Sequence, residues 1–174
     1  MQRRHLRWLL ALTAIASMTD ITLGDAQQAS EAVPEQAPFN VPYGPPITLA
    51  RAQAAMQAAV AEAERRGWPL NIAVVDSGAN LVTFARMDGA ALGSIAVAQH
   101  KARASAKFRR PTKMFEDAVA RGELRVLSID DVIASRGGLP LIEDGKLIGA
   151  IGCSGGVGPQ EEIVCGAGVA AIGK

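Results

Sequence analysis

The chain has 174 residues, which is enough for one domain. It is 49% hydrophobic and 20% charged, a composition typical of globular proteins rather than of disordered or fibrous ones. The formal net charge of +1 gives no reason to expect nucleic acid as a partner, and two Cys with two His exclude a Cys/His zinc site of the usual spacing.

The N-terminus has the pattern of a secretory signal peptide. Three Arg within residues 1–7 are followed by an apolar run over residues 8–18, about half of the length that spans a bilayer. Small residues, Gly24 and Ala26, precede a suitable cleavage position. We therefore predict a signal peptide over residues 1–26, no transmembrane segment, and a periplasmic or secreted protein. The alternative is a short N-terminal helix packed on the domain.

The remaining chain is predicted to consist of an arm and a domain. Removal of residues 1–26 takes away three Arg and two Asp, which leaves 15 basic and 15 acidic residues. A neutral protein has little self-repulsion and is open to self-association. Residues 27–46 hold five Pro, so they are predicted as an extended, partly disordered arm. The folded domain is expected over residues 47–174.

The first half of this domain is predicted as a helix, a β-hairpin and a second helix. An Ala-rich helix spans residues 49–66, with Thr48 as its N-cap. Residues 70–76 and 81–87 are short apolar runs separated by a turn, which is typical of a β-hairpin. The second helix spans about residues 92–107 and is rich in small side chains, which permit close approach to a sheet.

The second half repeats the hairpin between helices. A short helix is predicted over residues 113–121 with Thr112 as its cap, and residues 124–132 are ambiguous between a loop and a helical turn. An Asp-Gly turn between the apolar runs of residues 139–154 predicts a second hairpin. The last helix is expected over residues 160–172.

This order of elements predicts an α+β domain in which helices pack on an antiparallel sheet, and it speaks against a doubly wound parallel fold. The Gly-rich residues 149–156 are not followed by the βαβ unit that a dinucleotide site needs. Their glycines are expected to allow close contact of the strand with its neighbours. Alternatively, the N–H groups at the start of the last helix receive a ligand carboxylate.

Three groups of residues are candidates for a site. His100 is the only His after the predicted signal peptide, and one axial His is sufficient to bind haem. Arg86 and Asp88 follow one another at the end of a strand, where Asp88 caps the next helix or Arg86 binds an anion such as a propionate. Cys153 and Cys165 form a disulfide after export or remain two buried thiols.

Seven motifs also stand in a fixed order between Thr48 and Ile172. They are Ile72-Ala73-Val74-Val75-Asp76-x-Gly78, Phe84-x-Arg86-Met87-Asp88-Gly89-Ala90, Ser94, Lys101-Ala102, Phe108-Arg109-Arg110-Pro111-Thr112, Gly137-Gly138-x-Pro140 and Gly149-x-Ile151-Gly152-x-Ser154-Gly155-Gly156. Taken together, these motifs resemble those of the GlcG/HbpS haem-binding family, which includes the C-terminal domain of PduO-type proteins.

The resemblance implies a profilin-like or PAS-like fold with an antiparallel sheet flanked by helices, and homo-oligomers built from dimers. It also implies haem as the cofactor. Because both His and Thr serve as axial ligands in the family, His100 and Thr112 both remain candidates for the ligand of the haem iron. Arg86 and Lys101 are the expected contacts of the propionates.

Three functions remain open from the sequence. The first is an exported protein that binds or handles haem or senses redox state. The second is a small enzyme that acts on a carboxylate metabolite, with Asp76 and Asp88 as catalytic candidates and Arg86 beside them. The third is an oligomeric module with a structural or partner-binding role. We expect binding rather than catalysis, since the sequence offers no paired catalytic constellation.

Overall fold

The computed structural model describes residues 41–173; the predicted signal peptide and residues 27–40 of the predicted arm lie outside the described residues. None of the helices in the described part is long and apolar enough to cross a membrane. The predicted order of helices and strands is confirmed, with one 3₁₀ turn added. The elements are α1 (Leu49–Arg66), β1 (Asn71–Asp76), β2 (Leu81–Arg86), α2 (Ser94–Phe108), α3 (Lys113–Ala120), the 3₁₀ turn (Leu124–Ser128), β3 (Gly138–Glu143), β4 (Lys146–Ser154) and α4 (Gly158–Ile172).

The four strands form one antiparallel sheet in the order β2-β1-β4-β3, which confirms the predicted α+β class. The two hairpins join through their inner strands, β1 and β4, which pair from Asn71 opposite Ser154 to Asp76 opposite Gly149. These inner strands are buried along almost their whole length, whereas the outer strands β2 and β3 are largely half-buried.

Helices cover both faces of the sheet. Helices α1 and α4 pack on one face, where the core includes Met56, Ala59, Ile72, Val74, Ile151 and Val164. Helix α2 packs on the other face, where the core includes Ala73, Val75, Ala98, Ala102, Ala106 and Ala150. Because this second layer consists mostly of Ala, α2 lies much closer to the sheet than a helix with large core side chains would.

Two glycines of the sheet make this close approach possible. A Cβ atom at Gly152 would overlap the main-chain oxygen of Ala98 and the main-chain nitrogen of Ala102. A Cβ atom at Gly138 would overlap the main-chain oxygen of Lys101. The prediction that the glycines allow close contact of the strand with its neighbours is therefore confirmed, and the neighbour is the backbone of α2.

The predicted helix caps are confirmed in one case and wrong in two. The Thr48 hydroxyl accepts a hydrogen bond from the Arg51 N–H at 3.4 Å and caps α1. The Thr112 side chain makes no capping hydrogen bond to α3; it accepts from the Gly138 N–H at 3.0 Å instead. Asp88 lies well before the first residue of α2, which has no side-chain cap.

Residues 42–44 of the predicted arm run beside β4. The Gly44 N–H donates to the Leu147 carbonyl oxygen at 2.7 Å, and the Leu147 N–H donates to the Pro42 carbonyl oxygen at 2.8 Å. The Tyr43 hydroxyl donates to the Lys107 carbonyl oxygen at 2.8 Å. Pro-rich backbone is already extended, so it can run beside a strand without the apolar periodicity by which strands are recognised.

Substitution of Gly152 by Ala should lower the free energy of unfolding by about 1–3 kcal/mol, because the added methyl group meets helix backbone that cannot move aside. Urea denaturation followed by circular dichroism measures the change. Gly166→Ala is the matched control: among the described residues, no atom outside the adjoining helix backbone lies within 4 Å of the added Cβ, and Ala favours the helix, so stability should stay equal or rise. Equal losses in both variants would contradict the close contact at Gly152.

Candidate functional site

The two candidate ligands of haem iron differ in exposure. Thr112 is 0% exposed, and its hydroxyl is engaged by the Gly138 N–H. His100 is partly exposed on α2, and its Nε2 lies 3.1 Å from the main-chain oxygen of Asp131. Because a carbonyl oxygen only accepts, Nε2 is the donor in this contact, which leaves Nδ1 as the ring nitrogen available to a ligand. His100 is thus open to a surface ligand, and Thr112 is enclosed.

Basic side chains of α2 lie near Asp131, whose main-chain oxygen contacts His100. The Lys107 ammonium donates to the Asp131 carboxylate at 2.5 Å. This hydrogen bond is the main reason why the pKa of Asp131 lies below its usual value, and the charges of His100 and Arg103 lower it further. His100, Arg103 and Lys107 follow one another at helical spacings of three and four residues, so they share one face of α2.

The same loop carries exposed apolar side chains. Leu124, Leu127 and Ile129 are 61%, 57% and 48% exposed. They belong to residues 124–132, the segment that was ambiguous in the sequence and that forms the 3₁₀ turn and its continuation to Asp131. We name the combination the His100 surface; it comprises His100, Arg103, Lys107, Leu124, Leu127, Ile129 and Asp131. Helix α2 and the segment bonded to it therefore present an imidazole, two cationic side chains and exposed apolar side chains.

Lys101, the expected propionate contact, points into the domain. It is 1% exposed, and its Nζ lies 2.5 Å from Oε2 of Glu161 and 3.4 Å from the main-chain oxygen of Cys153. Glu161 is 4% exposed, and its Oε1 accepts from the Gly155 N–H at 2.9 Å. The ammonium and the carboxylate are thus paired in the interior, out of reach of a ligand at the surface.

The role of Glu161 is not predicted from the sequence. The residue lies in the first turn of the last helix, where main-chain N–H groups were expected to be open to a ligand carboxylate. In the structure the chain's own side chains accept from these groups, since Gly155 donates to Glu161 and Val157 donates to Gln160. The available signal was the position of Lys101 next to Ala102, on the buried face of an Ala-rich helix, because a charge placed there needs a partner.

A disulfide joins Cys153 of β4 to Cys165 of α4, which decides between the two alternatives left open by the sequence. Both residues are 0% exposed, and their Cα atoms are 5.9 Å apart. The main-chain oxygen of Cys153 is also the second acceptor of Lys101. The disulfide and the Lys101–Glu161 pair are therefore parts of one buried cluster that connects α2, β4 and α4.

The structure separates the residues predicted to line the site of a small enzyme. Arg86 pairs with Asn71 at one end of β1, and Asp76 lies at the other end, about 17 Å away at the rise of a β-strand. The Asp76 carboxylate accepts from two main-chain N–H groups of the β1–β2 turn at 2.8 and 2.9 Å. Asp76 thus closes a turn and does not share a site with Arg86 and Asp88.

Arg86 and Asp88 do lie together, at a pocket of about 440 Å³ that is open to solvent. The pocket is lined by residues of α1 and by the end of β2. They are Val60, Glu64, Ala85, Arg86, Met87 and Asp88. None of these residues belongs to the His100 surface, so the predicted site residues are divided among that surface, the buried interior, the pocket and the β1–β2 turn.

A family model described as "Haem degrading protein HbpS-like" matches residues 47–170 of the chain. Protein GlcG of Escherichia coli (strain K12) is 37% identical over 103 residues, which represent 59% of this chain and 77% of GlcG. The match to the family model includes both hairpins and all four helices, apart from the last residues of α4.

Solved structures similar to this chain include an HbpS protein and a PduOC complex. A double mutant of Streptomyces reticuli HbpS matches with a TM-score of 0.70 and 29% identity, over 83% of this chain and 99% of that one. The PduOC:heme complex matches with a TM-score of 0.67 and 28% identity, over 73% of this chain and 95% of that one. The second of these structures is thus a complex with haem.

Substitution of Lys101 by Met should lower the free energy of unfolding by about 3–5 kcal/mol, because it leaves the Glu161 carboxylate buried without its counter-ion. Adding Glu161→Leu to that variant should restore part of the loss. Lys107→Met is the control on the same helix, since the Lys107–Asp131 pair is solvent-exposed and should contribute at most about 1 kcal/mol. Urea denaturation compares the three variants; similar losses for Lys101→Met and Lys107→Met would contradict the account of a buried pair.

Proposed function

The chain belongs to the HbpS-like family, and we propose that it is a haem-binding protein in which His100 ligates the iron. The observation that carries the proposal is the state of the His100 ring. It is partly exposed, its Nε2 donates to the main-chain oxygen of Asp131, and none of the described residues engages its Nδ1. Imidazoles that ligate metals commonly donate their other ring N–H to a carbonyl or carboxylate oxygen, which fixes the ring.

The side chains carried by α2 and by the segment that contacts His100 through Asp131 fit the chemistry of haem. The porphyrin has two apolar faces and two propionates, so a site needs apolar side chains and cations besides the axial ligand. Leu124, Leu127 and Ile129 would supply the apolar contacts. Arg103 and Lys107 would bind the propionates in place of Arg86 and Lys101, which lie elsewhere. When bound, haem supplies redox chemistry, and the protein tunes it through the axial ligand and its hydrogen bond.

The structure favours His100 over Thr112 as the ligand. Thr112 is buried, and its hydroxyl already accepts from the Gly138 N–H. Iron could reach this hydroxyl only if the residues that cover it moved, and a movement of α3 away from β3 would leave the buried Gly138 N–H without a partner. Such a group costs about 1–3 kcal/mol. The imidazole of His100 is reached without that cost.

We also propose that the protein acts after export and as a homo-oligomer. The pattern over residues 1–26 is that of a signal peptide. The buried Cys153–Cys165 bridge supports export, because disulfides persist in oxidising compartments and are rare in the cytosol. Export of a haem-binding domain would allow it to meet haem outside the cytoplasm. The zero net charge of the chain after cleavage supports self-association.

Titration of the protein that starts at residue 27 with ferric haem tests the proposal. We expect a saturable Soret shift, and His100→Ala should weaken binding at least about tenfold, which corresponds to about 1.4 kcal/mol. Thr112→Val is the control, since it keeps the shape of the buried side chain and should leave the spectrum and the affinity unchanged. Circular dichroism verifies that both variants fold.

Two results would contradict the proposal. The absence of a saturable spectral change would show that the protein does not bind haem. Loss of binding in Thr112→Val with full binding in His100→Ala would assign the iron to the other ligand.

A further inference from the structure

The pocket between α1 and β2 has the dimensions and the walls of a small-molecule site. Its volume of about 440 Å³ lies in the range typical of ligand pockets. Val60, Ala85 and Met87 form its apolar side, and all three also pack against the core. The Met87 N–H donates to the Leu70 carbonyl oxygen at 3.1 Å, and the Met87 sulfur accepts from the Leu70 N–H at 3.4 Å. This wall is therefore fixed before a ligand arrives.

Three charged side chains at the pocket have no partner in the part of the chain that the structure describes. Within residues 41–173, no hydrogen bond or ion pair engages the side chains of Glu64, Arg86 and Asp88. Glu62, two residues before Glu64 on the same helix, is the contrast: hydrogen bonds from two neighbouring Arg side chains lower its pKa to about 2. The pocket therefore contains one unpaired guanidinium and two unpaired carboxylates, whereas Glu62 on the same helix is paired.

These features select the chemistry of the ligand. Arg86 favours a carboxylate, which it can bind with two parallel hydrogen bonds. Glu64 and Asp88 favour an ammonium group and repel a second anion. Val60 and Met87 favour an aliphatic group. We infer that the pocket binds a zwitterionic α-amino acid with an aliphatic side chain.

This site is independent of the proposed haem function. The residues that line the pocket belong to α1 and to the end of β2, and the His100 surface belongs to α2 and residues 124–131. Variants of the pocket should therefore leave haem binding unchanged. An effect of Arg86 on amino-acid binding and an effect of His100 on haem binding can be measured separately on the same protein.

Calorimetric titration with L-leucine and two analogues tests the inference. 4-Methylpentanoate lacks the ammonium group and 3-methylbutylamine lacks the carboxylate, so both should bind at least tenfold more weakly than L-leucine. Arg86→Gln should weaken L-leucine binding at least tenfold and leave the haem titration unchanged. Arg65→Gln is the matched control, because Arg65 lies next to Glu64 but does not line the pocket; its affinity should equal that of the unmodified protein.

The inference is wrong if L-leucine, L-valine and L-alanine all fail to bind saturably. It is also wrong if 4-methylpentanoate binds as well as L-leucine, because the two carboxylates would then have no role. Equal binding by Arg86→Gln and Arg65→Gln would place the ligand elsewhere on the protein.

Discussion

The contact between the backbone of α2 and the backbone of β3 and β4 determines most of this structure. It requires Gly138 and Gly152 in the strands and Ala side chains on the facing side of the helix. With the helix this close to the sheet, a residue on its inner face is fully enclosed, and Lys101 occupies such a position. Successive residues of an α-helix are rotated by about 100°, so the neighbouring His100 is turned toward solvent. The contact therefore buries Lys101 and leaves His100 partly exposed.

The buried ammonium of Lys101 needs a counter-ion, and α4 provides it. Glu161 supplies the counter-ion, and the disulfide between Cys153 and Cys165 connects the strand that accepts from Lys101 to the helix that carries Glu161. Backbone contact with β3 and β4 and the Lys101–Glu161 ion pair therefore hold α2 on the sheet. The disulfide contributes indirectly, because it joins β4 to α4. A side chain on such a helix is well suited to present an axial ligand, because its position is fixed by a rigid scaffold.

Local signals in the sequence predict the elements well. Thr48 and Gly67 mark the two ends of α1, and Gly67 adopts the left-handed conformation expected of a helix C-terminus. The Asp-Gly turn marks the second hairpin. The position of Asp76 also follows from the sequence, because a hairpin that turns at residues 77–80 must place Asp76 at its closed end and Arg86 at its open end.

The long-range contacts of the structure could not be predicted from the sequence. Thr112 has the residue type of a helix cap, but Gly138 on another element takes its hydroxyl. Lys101 has the residue type of a propionate contact, but Glu161, 60 residues away, takes its ammonium. Residues 124–132 show no clear period, since the 3₁₀ turn leaves its large apolar side chains in solvent. In each case the partner is set by how the helices are placed on the sheet.

Mapping of haem onto the folded protein tests the central claim most directly. Gallium protoporphyrin is a diamagnetic analogue of haem, so its binding can be followed by chemical-shift changes in amide and imidazole NMR spectra. If His100 ligates the iron, the largest changes are expected at the His100 ring, at Arg103 and Lys107, and along residues 124–131. Changes centred on Thr112 and the start of β3, with the His100 ring unaffected, would contradict it.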